Sequence, residues 1–75
     1  MKNKKLLKLK YWREYLDLGQ TDLAMLLGCK RPCYCKKELG TIDIRRSEMM
    51  IIQKEFNKKL KDMGLPLLTL DEIFD

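Results

Sequence analysis

All four glycines of the chain, Gly19, Gly28, Gly40 and Gly64, fall where a stretch of helical periodicity runs out. Glycine adopts the left-handed backbone that closes a helix at no steric cost, so this punctuation divides the chain into short helices. Leu6, Leu9, Trp12 or Arg13, and Leu16 recur at three- and four-residue steps and predict a first helix over 5–17, stopped at Leu18-Gly19. A second helix, over 20–27, carries Leu23, Ala24 and Leu27 on one face and ends at Gly28. A third, over 31–38, tolerates Pro32 in its first turn and ends at Gly40. Residues 41–45 read as a loop. Ser47 is the expected cap of a longer fourth helix, in which Met49, Ile52, Phe56, Leu60 and Met63 share helical spacing and Gly64 closes the run. After Leu65-Pro66, Thr69 followed by Asp71 and Glu72 reads as the cap of a last short turn. Alternation of strand type is nowhere sustained, and the expected fold class is all-α with five helical elements.

Seventy-five residues make one domain, and a chain this short buries only about 60% of the surface it exposes when unfolded. That leaves little room for a catalytic pocket. Histidine is absent, which removes the commonest general base and the commonest metal ligand together, so no enzyme is expected. The 16 lysines and arginines against 11 acidic residues give a net charge of +5, which favours a polyanionic partner, either nucleic acid or an anionic membrane face. The basic start MKNKKLLKLKYW is interrupted by Lys8 and Lys10 and lacks a small-residue cleavage site, so it is not expected to be a cleaved signal. With no apolar run of about 18 residues, no membrane partner is expected, and the cytoplasm is the expected compartment.

The second and third helices, separated by Gly28-Cys29-Lys30, have the proportions of a helix-turn-helix, whose second helix enters the major groove of DNA. Gln20 stands at a helix start, where its amide and free backbone N–H groups can face a phosphate oxygen. Ala24 is small where the two helices cross, and Tyr34 is the large apolar residue of the third helix, expected inward. The run LGQTDLAMLLGCKRPCYCKKELG resembles the phage-repressor and Cro-like helix-turn-helix family, also called the xenobiotic-response-element type. Gln20, Leu23, Ala24, Leu27, Gly28, Glu38 and Gly40 fall on its pattern, and TLDEIF is similar to its closing element. The resemblance implies a lambda-repressor-like domain over 1–75, with the helix-turn-helix at about 20–38 and a C-terminal helix and tail at 46–75. It implies that Gln20 contacts a phosphate, that Arg31, Pro32 and Lys36 face base edges with Lys30 beside them, and that Arg13 and Glu38 form an ion pair. Lys30 stands where the family has a serine or threonine cap, Lys37 where it has an apolar residue, and Leu39 where it has a polar one. Cys33 and Lys37 are expected toward the phosphate backbone.

All three cysteines lie in GCKRPCYCKKE. Cys29 and Cys33 are four apart and can share a face, whereas Cys35 lies about 200° from Cys33 on a helical wheel. Three thiols without histidine fall short of the four ligands of a structural zinc site, so no metal or other cofactor is expected. Lys54, Lys58, Lys59 and Lys61 read as a solvated face, and the Met49 to Ile52 stretch as core closure, so no small-molecule effector is expected. Leu65, Leu67, Leu68, Ile73 and Phe74 exceed what so short a tail needs and are candidates for a homodimer surface. The expected function is a sequence-specific double-stranded DNA-binding transcriptional regulator of phage or mobile-element repressor type, working in a bacterial cell. The alternative is a protein-interaction or antitoxin-like module that uses the same fold with little DNA affinity.

Overall fold

A computed structural model describes residues 5–74, and the basic start at residues 1–4 lies outside them. Among the described residues the chain is all-helical: α1 (Leu7–Tyr15), α2 (Gln20–Leu27), α3 (Arg31–Leu39), α4 (Arg46–Asp62) and α5 (Leu70–Ile73). The radius of gyration of 11.7 Å is close to the roughly 11 Å of a compact chain of this length.

The helix ends follow from local chemistry, with two corrections to the sequence reading. The first helix stops before Gly19: Asp17 takes the left-handed conformation (φ 60°), and the Leu18 N–H returns to the Arg13 carbonyl at 2.9 Å. Aspartate tolerates that conformation better than most side chains. Nor is Ser47 the cap of α4. Arg45 holds the extended cap position, and the Glu48 carboxylate accepts its N–H at 3.0 Å, which starts the helix earlier and leaves Ser47 exposed within it. Gly28 closes α2 at φ 74°, sending the Cys29 N–H back to the Ala24 carbonyl at 2.9 Å. That turn lets α3 fold against α2, and this helix pair shares the most extensive contact in the molecule.

Ile52, Phe56 and Leu60, spaced four apart on α4, are fully buried and meet Leu9 of α1, Leu23 and Ala24 of α2, and Tyr34 of α3 in one core. Met49 lies at the edge of this stripe, and Met63, expected on it, is exposed. The tail completes the core. Asn57 holds Leu68 at both backbone groups, accepting its N–H at 2.8 Å and donating to its carbonyl at 3.1 Å, while Gln53 donates to the same carbonyl at 3.0 Å. On the other side Trp12 Nε1 donates to the Glu72 carbonyl at 3.1 Å and Lys8 Nζ to that of Asp71 at 3.2 Å. Leu68, Ile73 and Phe74 are therefore core residues, which corrects their assignment to a dimer surface; Leu65 is half-buried against the core, and only Leu67, at 58% exposure, faces outward. A chain this small needs its last apolar residues to close its core.

Candidate nucleic-acid interface

The inner side of α3 is fixed by a buried polar network. Arg13 of α1 grips Glu38 with two charge-assisted hydrogen bonds, Nε to Oε2 at 2.9 Å and Nη2 to Oε1 at 3.1 Å, and its Nη1 donates to the Leu18 carbonyl at 2.9 Å. Tyr34 Oη donates to Glu38 Oε2 at 2.8 Å. One guanidinium thus ties the end of α1, the corner before α2 and the last turn of α3, and the Leu6 N–H adds a bond to the Glu38 carbonyl at 2.9 Å. Burial works to lower the Arg13 pKa, but the hydrogen bond and charge of Glu38 more than reverse this. Burial and the bond to Glu38 push the Tyr34 phenol far above its ordinary range, so it remains a donor. Among the described residues no buried side-chain nitrogen or oxygen is left without a partner.

Lys37 departs from the sequence reading. It is buried and its Nζ meets Glu48 Oε1 at 2.8 Å, pinning the first turn of α4 to α3. Its cation is spent inside the molecule, so it is removed from the phosphate-contacting set. Glu48 is held below the ordinary carboxylate value of 4.5: burial alone would raise it, and the Lys37 hydrogen bond and the Arg45 N–H outweigh burial. A carboxyl lowered on folding contributes stability that is fully present above that ordinary value and lost as pH falls through the folded one. Glu48→Gln should therefore cost about 1–3 kcal/mol at neutral pH, between exposed and buried pairs. Urea midpoints for the variant and the parent should converge on acidification toward pH 3; a gap independent of pH would show that the charge is not what Glu48 supplies.

The remaining cations of α3 are exposed at its N-terminal end, Lys30 and Arg31, and on its outer side, Lys36. Lys30, Arg31, Pro32 and Lys36 are exposed, and Pro32, Lys36 and Leu39 lie on the wheel roughly opposite Tyr34. Leu39, 45% exposed, puts an apolar side chain on that face. Cys33 and Cys35 occupy its two flanks, both half-buried. Gln20 opens α2 half-buried, with Nε2 at 3.5 Å from Glu38 Oε1, the outer limit of a hydrogen bond. Its amide borders a cleft of about 190 Å³ lined also by Lys5, Leu6, Lys10 and Leu39. This is below the roughly 300 Å³ at which small-molecule sites begin. Lys5 and Lys10 were not singled out from the sequence; the signal was there, since Lys10 stands three residues before Arg13 and one helical turn carries it to the same side. Arg45 and Arg46 were missed as well. Both are exposed at the N-terminus of α4, which the Lys37–Glu48 pair holds beside α3. Cations at the positive end of a helix dipole cost about 0.3–1 kcal/mol, and an anion bound there relieves them.

Among the described residues no group of three or more His, Cys, Asp or Glu is placed to hold a metal ion, and no helix is long and apolar enough to cross a membrane. Compared with family models, with curated proteins and with solved structures, the chain matches none of them.

Proposed function

We propose that the protein is a sequence-specific duplex-DNA-binding transcriptional regulator of the phage repressor or Cro type, with no catalytic role, in which α2, the Gly28 turn and α3 form the helix-turn-helix of a lambda-repressor-like domain. The observation that carries this reading is the polarity of α3: Tyr34, Lys37 and Glu38 are locked inward, while Lys30, Arg31 and Pro32 are exposed at its N-terminal end and Lys36 on the face opposite Tyr34. In this reading α3 enters the major groove, Arg31 and Lys36 meet base edges, and Gln20 with Lys5, Lys10, Arg45 and Arg46 straddles the phosphates on either side. Two copies on a palindromic site would raise affinity and specificity together.

The test begins by selecting preferred sites from a random duplex pool. Arg31→Ala should then weaken binding to the selected site by about 1–3 kcal/mol with a smaller loss on a scrambled duplex of equal length. Gln20→Ala should weaken both alike, because a phosphate carries no base information. Equal losses on both duplexes for Arg31→Ala would remove it from the base-reading set.

A protein-interaction role is favoured by one separate observation, the exposed ladder of Leu7, Tyr11 and Tyr15 along α1, where the two tyrosine rings stack at 6.2 Å. It is the better reading if the selection yields no preferred duplex.

A further inference from the structure

The proposed DNA contacts do not use the thiols at the start of α3. Cys29 lies just before the helix cap, fixed by its N–H to the Ala24 carbonyl at 2.9 Å, and packs against the core. Cys33 lies in the first turn, fixed by its N–H to the Lys30 carbonyl at 3.0 Å. Both thiols are free and half-buried, open to a small molecule, and Cys33 is among the groups that act on the Cys29 thiol. Lys37, one turn beyond Cys33, continues the row, its ammonium paired with Glu48 at 2.8 Å. Cys35 points to the other flank of the helix. The three residues between the paired thiols are Lys30, Arg31 and Pro32, the exposed N-terminal part of the proposed reading face.

We propose that Cys29 and Cys33 form a dithiol that a hydroperoxide closes to a disulfide, and that closure re-angles the segment at 30–32 so that it no longer seats on duplex DNA. The second half rests on the DNA-binding reading; the first does not. In the first step the Cys33 sulfur attacks the hydroperoxide, the O–O bond breaks, Cys33 becomes a sulfenic acid, and the departing oxygen takes a proton. In the second, Cys29 loses its proton to solvent and attacks the Cys33 sulfur, and the S–O bond breaks to release water. Two thiols lose two electrons, and hydrogen peroxide becomes two waters. Burial and the influence of Cys33 push the Cys29 thiol up, which leaves Cys33 as the thiol that meets the hydroperoxide first. A disulfide holds its Cβ atoms about 3.8 Å apart, and here it ties the residue before the extended cap Lys30 to the first turn of α3. Closure therefore fixes the two ends of the segment to each other.

The experiment treats the reduced protein with hydrogen peroxide, blocks remaining thiols with N-ethylmaleimide, and maps peptides by mass spectrometry. A single Cys29–Cys33 linkage is expected, with Cys35 alkylated; Cys35→Ser should keep the linkage and Cys33→Ser should lose it. The oxidised protein, its helical circular dichroism unchanged, should bind the selected duplex at least about tenfold more weakly than the reduced one, and dithiothreitol should restore binding. Alkylation of both Cys29 and Cys33 after peroxide, or linkage through Cys35, would overturn the dithiol. Equal binding by linked and reduced protein would overturn the switch. A reduced protein that binds no duplex would overturn the DNA reading and the switch with it, while the peptide map still judges the disulfide.

Discussion

Glu38→Ala is expected to remove about 3–5 kcal/mol of stability, the cost of breaking a buried ion pair from one side. The carboxylate is 5% exposed and accepts from Arg13 twice and from Tyr34 once at 3.1 Å or less. Without it the Arg13 guanidinium keeps the Leu18 carbonyl and a distant Glu14, at 3.8 Å, and the Tyr34 hydroxyl is left buried with no acceptor. A small domain has about 5–15 kcal/mol in total, so the variant should be largely unfolded at modest urea concentration, read by circular dichroism. Replacing both partners, Arg13→Met with Glu38→Met, should cost less than Glu38→Ala alone, because no charge is then stranded. A single variant as stable as the parent would mean that the network is not the brace of α3.

Phe56→Ala is expected to cost a comparable 3–5 kcal/mol, from lost burial and the cavity left behind. Phe56 is fully buried at the middle of the α4 stripe, where the core residues of α1, α2, α3 and the tail converge. Leu67→Ala, at a mostly exposed position of the tail, should stay within about 0.5 kcal/mol. Thermal melts of the two variants separate these outcomes. A Leu67→Ala loss as large as that of Phe56→Ala would show that the tail packs differently.

The helices were legible because their determinants are local. Gly28, Gly40 and Gly64 adopt positive φ where the periodicity ends, Leu9, Leu23, Ile52, Phe56 and Leu60 were readable as inward by spacing alone, and Tyr34 as the large apolar residue of its helix. The family resemblance pointed to Arg13 with Glu38, and the bidentate bond is there. What the sequence concealed depends on distant partners. Lys37 reads as one more cation of a basic helix until α4 brings Glu48 against it. Leu68, Ile73 and Phe74 read as surplus until Asn57 and Gln53 draw the tail onto the core. Asp17 rather than Gly19 turning the chain, and Glu48 rather than Ser47 starting α4, are choices between neighbouring residues of similar aptitude that tertiary contacts decide.

The most direct measurement on the proposed role is a fluorescence-anisotropy titration of a labelled duplex with the reduced protein, repeated across salt concentrations. If Lys5, Lys10, Arg45 and Arg46 each neutralise a phosphate, log K should fall linearly with log salt with a slope of about −3 to −4. A slope near zero, or no binding at low salt, would contradict DNA binding and leave the outward cations of α3 as a solvated face.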